Sequence, residues 1–282
     1  MKKILYILLT VLVLLSCRKA QDIDLILPAY DGKLMVECYL QPGQSYKMLL
    51  TESVPYLEYA IAKPVNNALV TITYNGKIDT LSYNNRIIDA EDSTKIYNYT
   101  NPKVRVPKDY KGKFELYIRA VDGRVATAST NIAPKATIDS AYVTLDNQNR
   151  SMYAYIADLQ TDLKYYRFMV FQEDNMGIQT QSTITDNKQI KLSPFIFNTP
   201  TQLVFKSKGD FFDTPKGVID SVAFRAIEIN KDYYDFLVSI RNAQDANGNP
   251  FAQPASIRNN ITGGSGIFTG FDPAKIRLKV PK

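Results

Sequence analysis

The sequence predicts a mostly β protein: a β-sandwich in the N-terminal part, followed by a second antiparallel β domain that carries one short helix. Three observations lead there. Residues Phe114 to Ala120 alternate apolar and polar side chains, the period-two signature of a strand with one face buried. Asn75-Gly76 and Asp122-Gly123 separate such runs, and both pairs favour the positive φ of two-residue hairpin turns. The i, i+3, i+4, i+7 stripe of an amphipathic helix stands out at one place, Tyr233, Phe236, Leu237 and Ile240.

The chain opens with Lys2 and Lys3, an apolar run from Ile4 to Leu15, then Ser16 and Cys17. A basic start, a short apolar core and a small residue before the cut describe a secretory signal peptide over residues 1–17. The apolar run reaches about 18 Å at helical rise, short of the roughly 30 Å of a bilayer core, so it does not read as a transmembrane anchor. Leu14-Leu15-Ser16-Cys17 resembles the bacterial lipobox. That resemblance implies that Cys17 is the lipid attachment site, acylated with palmitate-type chains and first in the mature protein. Several acyl chains hold a protein on a membrane where one holds it only marginally.

Residues 18–32 read as a tether, with Asp22-Ile23-Asp24-Leu25 and a break at Pro28. The N-terminal domain, 33–133, shows strand-like runs at 33–40, 46–52, 68–74, 77–83, 95–99, 114–121 and 124–130, with further turns at Pro42-Gly43 and Lys111-Gly112. This number of short strands without helical period argues an immunoglobulin-like or transthyretin-like sandwich. Ala133-Pro134-Lys135 is the expected boundary, since a proline follows the last strand and a fresh alternation begins at Ile138. The C-terminal domain, 134–282, reads as strands at 139–146, 151–158, 164–172, 181–193, 202–207, 218–229 and 275–280. Its helix is expected from Asn230, as N-cap, to Arg241, with Asp232 and Arg241 complementing the helix dipole at opposite ends.

Composition narrows the chemistry. The 282 residues contain no His and no Trp, and two Cys. Without histidine the chain lacks the usual general base near neutral pH, the commonest metal ligand and any Ser-His-Asp or Cys-His system. With Cys17 lipidated, only Cys38 is left, in the strand-like Lys33 to Leu40, where it reads as a core residue with no disulfide partner. Loss of Lys2 and Lys3 lowers the net charge from +6 to about +4, spread along the chain without the basic clusters of a nucleic-acid binder. No metal, cofactor or nucleic acid is expected, and the chain does not read as an enzyme. A carboxylate-pair glycosidase is the enzymatic chemistry still open, and it would need two facing carboxylates about 5 to 10 Å apart.

Individual motifs point the same way. Asp245-Ala246-Asn247-Gly248-Asn249 begins like a calcium loop, but an EF-hand needs glycine and glutamate where Pro250 and Ser256 stand, so it reads as a polar turn after the helix. Gly263-Gly264-Ser265-Gly266 runs into the apolar Ile267 to Phe271 instead of a helix, which argues a bend or bulge and not a phosphate cradle. Asp22 and Asp24 alternate on an extended segment and face opposite ways. Tyr165-Tyr166-Arg167-Phe168 and Phe211-Phe212 offer either a stacking surface for sugars or peptides, or ordinary strand packing.

Asn249-Pro250-Phe251-Ala252-Gln253-Pro254, followed by Asn259-Asn260-Ile261-Thr262-Gly263-Gly264-Ser265-Gly266-Ile267-Phe268, resembles the Bacteroidota lipoproteins grouped as domain of unknown function 4249. Asn67-Ala68-Leu69-Val70-Thr71-Ile72 is similar to a strand of the same family, as is the order of lipobox, short acidic-apolar segment and first strand. The resemblance implies a lipid-anchored outer-membrane protein of the cell envelope, with a TonB-dependent receptor as partner and no catalytic residues to carry over. Arg18 and Lys19 differ from the acidic export signals of many surface lipoproteins in that phylum, so the facing, surface or periplasm, stays open. The expected function is a non-enzymatic accessory or substrate-capture subunit of such a receptor, with the substrate unspecified; the alternative is a surface adhesin or structural lipoprotein without a transporter partner. Asn249, Pro250, Phe251, Pro254, Asn260, Gly263, Gly264, Gly266 and Phe268 form the candidate docking or structural loop, with Phe251 and Phe268 both able to face outward.

Overall fold

The structure, a computed structural model, describes residues 30–55, 58–59, 61–89, 95–146, 149–157, 162–172, 179–188, 195–199, 221–246 and 256–279. From Gly32 onward these belong to one compact unit. They are mostly strands with one described helix, as expected of a β-rich fold in two parts.

The first part is a ten-stranded sheet folded over its own core. Its strands are β1 (Leu34–Leu40), β2 (Ser45–Glu52), β3 (Lys63–Pro64), β4 (Leu69–Tyr74), β5 (Lys77–Ile88), β6 (Ile96–Arg105), β7 (Phe114–Arg119), β8 (Val125–Thr130), β9 (Ile132–Ala133) and, from far along the chain, β16 (Gly264–Phe271). The order is β8-β7-β4-β5-β6-β2-β1-β16-β9, with β3 on β2. β5 is the corner: Lys77 to Leu81 pair with β4, while Ser82 to Ile88 pair with β6, with a register shift between Tyr83 and Ile87. The far edges meet where Thr127 of β8 and Thr262 exchange two main-chain hydrogen bonds of 2.9 and 2.8 Å. Even-numbered residues of β1 (Leu34, Val36, Cys38, Leu40) point inward against Met48 and Leu50 of β2, Val70 and Ile72 of β4, and Phe114, Leu116 and Ile118 of β7. Cys38 is wholly buried there, a packed hydrophobe as its strand position predicts.

β5 extends past the expected 83 and β6 past the expected 99. Where β6 diverges from β2, the Asn98 side chain takes over the ladder, accepting from Leu50 N and donating to Leu50 O, both at 2.8 Å.

The second part packs a three-stranded sheet, β10-β11-β14, against a four-stranded one, β13-β12-β15-β17. These are β10 (Ile138–Asp146), β11 (Asn149–Ile156), β12 (Tyr165–Gln172), β13 (Gln179–Asp186), β14 (Phe195–Thr199), β15 (Ser221–Ile229) and β17 (Ala274–Lys279). Their core centres on Tyr166, Phe168 and Val170 of β12 and Val222 and Phe224 of β15. β13 ends at Asp186, short of the expected 193, and the expected strand 202–207 lies outside the described residues.

Helix α1 (Lys231–Ala246) outruns its expected end, so Arg241 sits inside the helix and no basic residue occupies the last turn. Tyr233 and Phe236 fill a third apolar cluster with Met169 and Phe171 of β12, Ile227 and Ile229 of β15, and Ile267 and Phe271 of β16. Asn230, the expected N-cap, also ties the helix start to the first part, because its amide donates to Asn131 O at 2.6 Å.

β16 is the element that the sequence placed least well. It lies parallel to both β1 and β9, and it is buried on both faces: Phe268 enters the first core, while Ile267 and Phe271 enter the helix cluster. A strand covered on both sides reads as a continuous apolar run, not an alternation.

Candidate functional site

A cleft opens between the outward face of the first sheet and the four-stranded sheet, where sequence alternation alone would place solvated residues. Tyr39 of β1 and Gln41 just beyond it line the cleft, with Asp89, Lys95 and Tyr97 near the β5–β6 connection, Arg167 and Met169 of β12, Arg225 and Ile227 of β15, Tyr233 of α1, and Phe271 and Pro273. The space inside is narrow, about 40 Å³, and continues into a polar neighbour lined by Gln44, Ser45 and Lys47.

Its floor is aromatic. The rings of Tyr39, Tyr233 and Phe271 stand 5.7, 6.0 and 6.3 Å apart between centroids, distances at which tilted and offset pairs attract. Burial pushes the Tyr39 hydroxyl well above its ordinary pKa, with Tyr233 and Glu37 reinforcing the shift and Arg167 opposing it. Tyr39 is therefore a neutral donor, giving its proton to a hydrogen bond with Glu37 at 3.1 Å.

Its walls are cationic. Lys47 pairs with Asp89 at 3.0 Å; Lys95 lies 4.9 Å above the Tyr39 ring and 3.7 Å from Glu37. Register sets Arg167 opposite Ile227 and Arg225 opposite Met169, so the two arginines are diagonal neighbours on one face. Arg167 donates to Ser182 Oγ at 3.0 Å and to the Tyr233 hydroxyl, and Arg225 lies 3.9 Å over the Phe171 ring. Among the described residues, four cations thus surround the cleft against the carboxylates of Glu37 and Asp89. Such a half-buried surplus concentrates field lines and attracts anions.

The described residues of the cleft supply hydrogen-bond donors and cations suited to binding. Burial raises the pKa of Cys38, Tyr39 and Tyr46, and hydrogen bonding from Arg124 lowers that of Asp122, so these groups move away from neutrality. Among the described residues no cluster of three or more Cys, Asp or Glu side chains is arranged to hold a metal ion.

The expected loop residues that the structure describes do not line the cleft. Cys17, Asn249, Pro250, Phe251 and Pro254 are outside the described residues. Asn260 donates to Phe268 O at 2.8 Å and accepts from Phe268 N at 3.0 Å, so it pins β16 by its main chain. A Cβ at Gly263 would strike the Val125 carbonyl oxygen, one at Gly264 would sit 2.6 Å from Leu34 O, and one at Gly266 would strike Val36 O. Phe268, expected as able to face outward, is instead completely buried in the first core, because it extends a strand between two layers. Tyr165-Tyr166-Arg167-Phe168 divides by parity: Tyr166 and Phe168 pack in the second core, while Tyr165 packs at a tilt against Tyr234 of α1 and Arg167 faces the cleft. Phe211 and Phe212 lie outside the described residues.

Of the cleft residues the sequence reading touched only Arg167 as a binding candidate, inside a possible stacking surface. Their signal was a lone arginine inside each of two strands otherwise apolar on both faces, Tyr165-Tyr166-Arg167-Phe168-Met169-Val170 and Val222-Ala223-Phe224-Arg225-Ala226-Ile227.

A family model described as domain of unknown function (DUF4249) matches residues 21–277. The chain belongs to this family. The motif from Asn249 to Phe268 accordingly lies within a domain that takes in nearly all the sequence, and the family's description assigns it no activity. No curated protein matches the chain. A crystal structure of a DUF4785 family protein from Legionella pneumophila subsp. pneumophila str. Philadelphia 1 is similar at 13% identity, covering 68% of this chain and 52% of that one, with a TM-score of 0.24. The chain thus spans about half the length of that protein.

Among the described residues, no helix is long and apolar enough to cross a membrane.

Proposed function

We propose that this protein is a lipid-anchored, non-enzymatic capture subunit that works beside a TonB-dependent receptor in a bacterial outer membrane, as the Bacteroidota lipoproteins it resembles are expected to do. The observation that carries the reading is the preformed cleft, in which aromatic rings and cations converge. The lipobox-like Leu14-Leu15-Ser16-Cys17 supports the anchor. Lipid on Cys17 tethers the body, and the cleft holds substrate close to the transporter, raising its local concentration.

The test is to tag the C-terminus in the native organism, solubilise the outer membrane in mild detergent and identify what co-purifies in stoichiometric amount. A large β-barrel receptor is the expected result, together with loss of membrane association in Cys17→Ser. Recovery of the protein alone, under conditions that keep other lipoprotein–receptor pairs intact, overturns the transport role and leaves an adhesin or structural lipoprotein.

A further inference from the structure

We infer that the cleft takes an anionic head group, a carboxylate or a phosphate, carried on a flat apolar frame. The inference deepens the capture reading and rests on it for its biological sense. Three features of the cleft define the ligand. Arg167 is half-buried, and among the described residues its guanidinium bonds only to the hydroxyls of Ser182 and Tyr233, which supply no negative charge. The nearby carboxylates are engaged by other cations, Asp89 by Lys47 at 3.0 Å and Glu37 by Lys95 at 3.7 Å. A half-buried cation whose partners are neutral gains most from an anion, because a guanidinium presents paired donors that match the two oxygens of a carboxylate or phosphate.

The rings set the rest of the molecule. Tyr39, Tyr233 and Phe271 form one apolar wall, and Lys95 reaches over Tyr39 from the rim. Tyr233 and Phe271 are buried behind it, so an apolar frame at the mouth meets the half-buried Tyr39, with its anionic end toward Lys95 and Arg167. The space of about 40 Å³ admits a small polar group, since a single water needs roughly 10–15 Å³ on the same measure, so a head group enters and the frame stays at the mouth.

The probes are benzoate, phenyl phosphate and, as the neutral control, benzyl alcohol, titrated calorimetrically into the full lipidated chain in nonionic detergent, with detergent alone as reference. Benzoate or phenyl phosphate is expected to bind at least about tenfold more tightly than benzyl alcohol, and to weaken as salt rises. Arg167→Gln should lower anion affinity by roughly tenfold, the value of one charge-assisted hydrogen bond. Lys95→Gln, at the more exposed rim, should weaken it in the same direction without disturbing the fold. Equal binding of benzyl alcohol, absence of anion binding, or anion affinity unchanged in both variants overturns the inference. A preference for one anion assigns the head group. Receptor recovery is read on the same preparation: anion binding without a receptor removes the transport reading and leaves the ligand class standing, whereas a receptor without anion binding does the reverse.

Discussion

Two asparagines stand in for missing strand neighbours at opposite edges of the first core. Asn98 bonds both main-chain groups of Leu50, and Asn260 bonds both main-chain groups of Phe268. A carboxamide carries one acceptor and one donor in the geometry of a peptide group, so it substitutes for a neighbouring strand where none is present. Asn260→Ala would leave a buried N–H and a buried C=O without partners and is expected to lower stability by about 3 kcal/mol, read as a fall in urea midpoint at unchanged slope. Asn260→Asp should recover little, since the carboxylate accepts from Phe268 N but cannot donate to Phe268 O. Tyr46 supplies a pH prediction at the same scale. Its buried hydroxyl is pushed up to about 12, chiefly by burial and next by Asp79. The unfolded chain ionises near pH 10 while the folded one keeps its proton, so stability is intact below pH 10 and falls as pH rises toward 12, by at most about 3 kcal/mol from this group. Tyr46→Phe should flatten that alkaline loss in denaturant titrations at stepped pH; an equally steep loss would place its origin in other tyrosines.

At the scale of elements, β16 depends on absent side chains. Gly266 holds φ +118 and faces the Val36 carbonyl of the parallel neighbour β1. Alanine there meets both backbone strain and a main-chain collision, so Gly266→Ala is expected to cost more than about 4 kcal/mol, and expression in soluble folded form should collapse. Gly76 also has positive φ, yet it has open space around it at a hairpin turn, so Gly76→Ala should cost only about 1 kcal/mol in the same assay. The contrast explains what the sequence could show. Gly76 and Gly123 announce turns because their neighbours alternate, and the strands they join were legible for that reason. The glycines of 263–266 suggest a bend, although from Gly264 they lie in a strand, because close approach to another strand leaves no local signature. The same limit hid the cleft: Tyr39, Lys95 and Arg167 occupy outward positions that look solvated until a second sheet covers them. The extent of β5 was unreadable too, since Asn84-Asn85-Arg86 breaks the apolar period while the strand crosses from one half of the sheet to the other.

At the scale of the whole molecule, the chain builds one layered set, leaves it after Ala133 for another, and returns through Ile261 to Phe271 to complete the first. Several ties cross the divide. β16 contributes Phe268 to the first core and Ile267 and Phe271 to the helix cluster; Tyr110 donates to Asp272 at 3.0 Å; Asn230 holds Asn131. Truncating the chain after Ala133 would strip β1 of its parallel neighbour β16 and expose Val36, Cys38 and their surroundings. The two cores should consequently unfold together. Cys38 reports on the first: burial raises its thiol pKa strongly, so it is inert to thiol reagents until that core opens. Amide exchange in Phe168–Phe171 and Val222–Ala226 reports on the second. In a chain carrying Cys17→Ser, where Cys38 is the remaining thiol, both probes should share one urea midpoint. Labelling of Cys38 at a urea concentration where β12 and β15 still resist exchange would show that β16 peels from β1 on its own, and the first layered set would then be the weaker of two separable units.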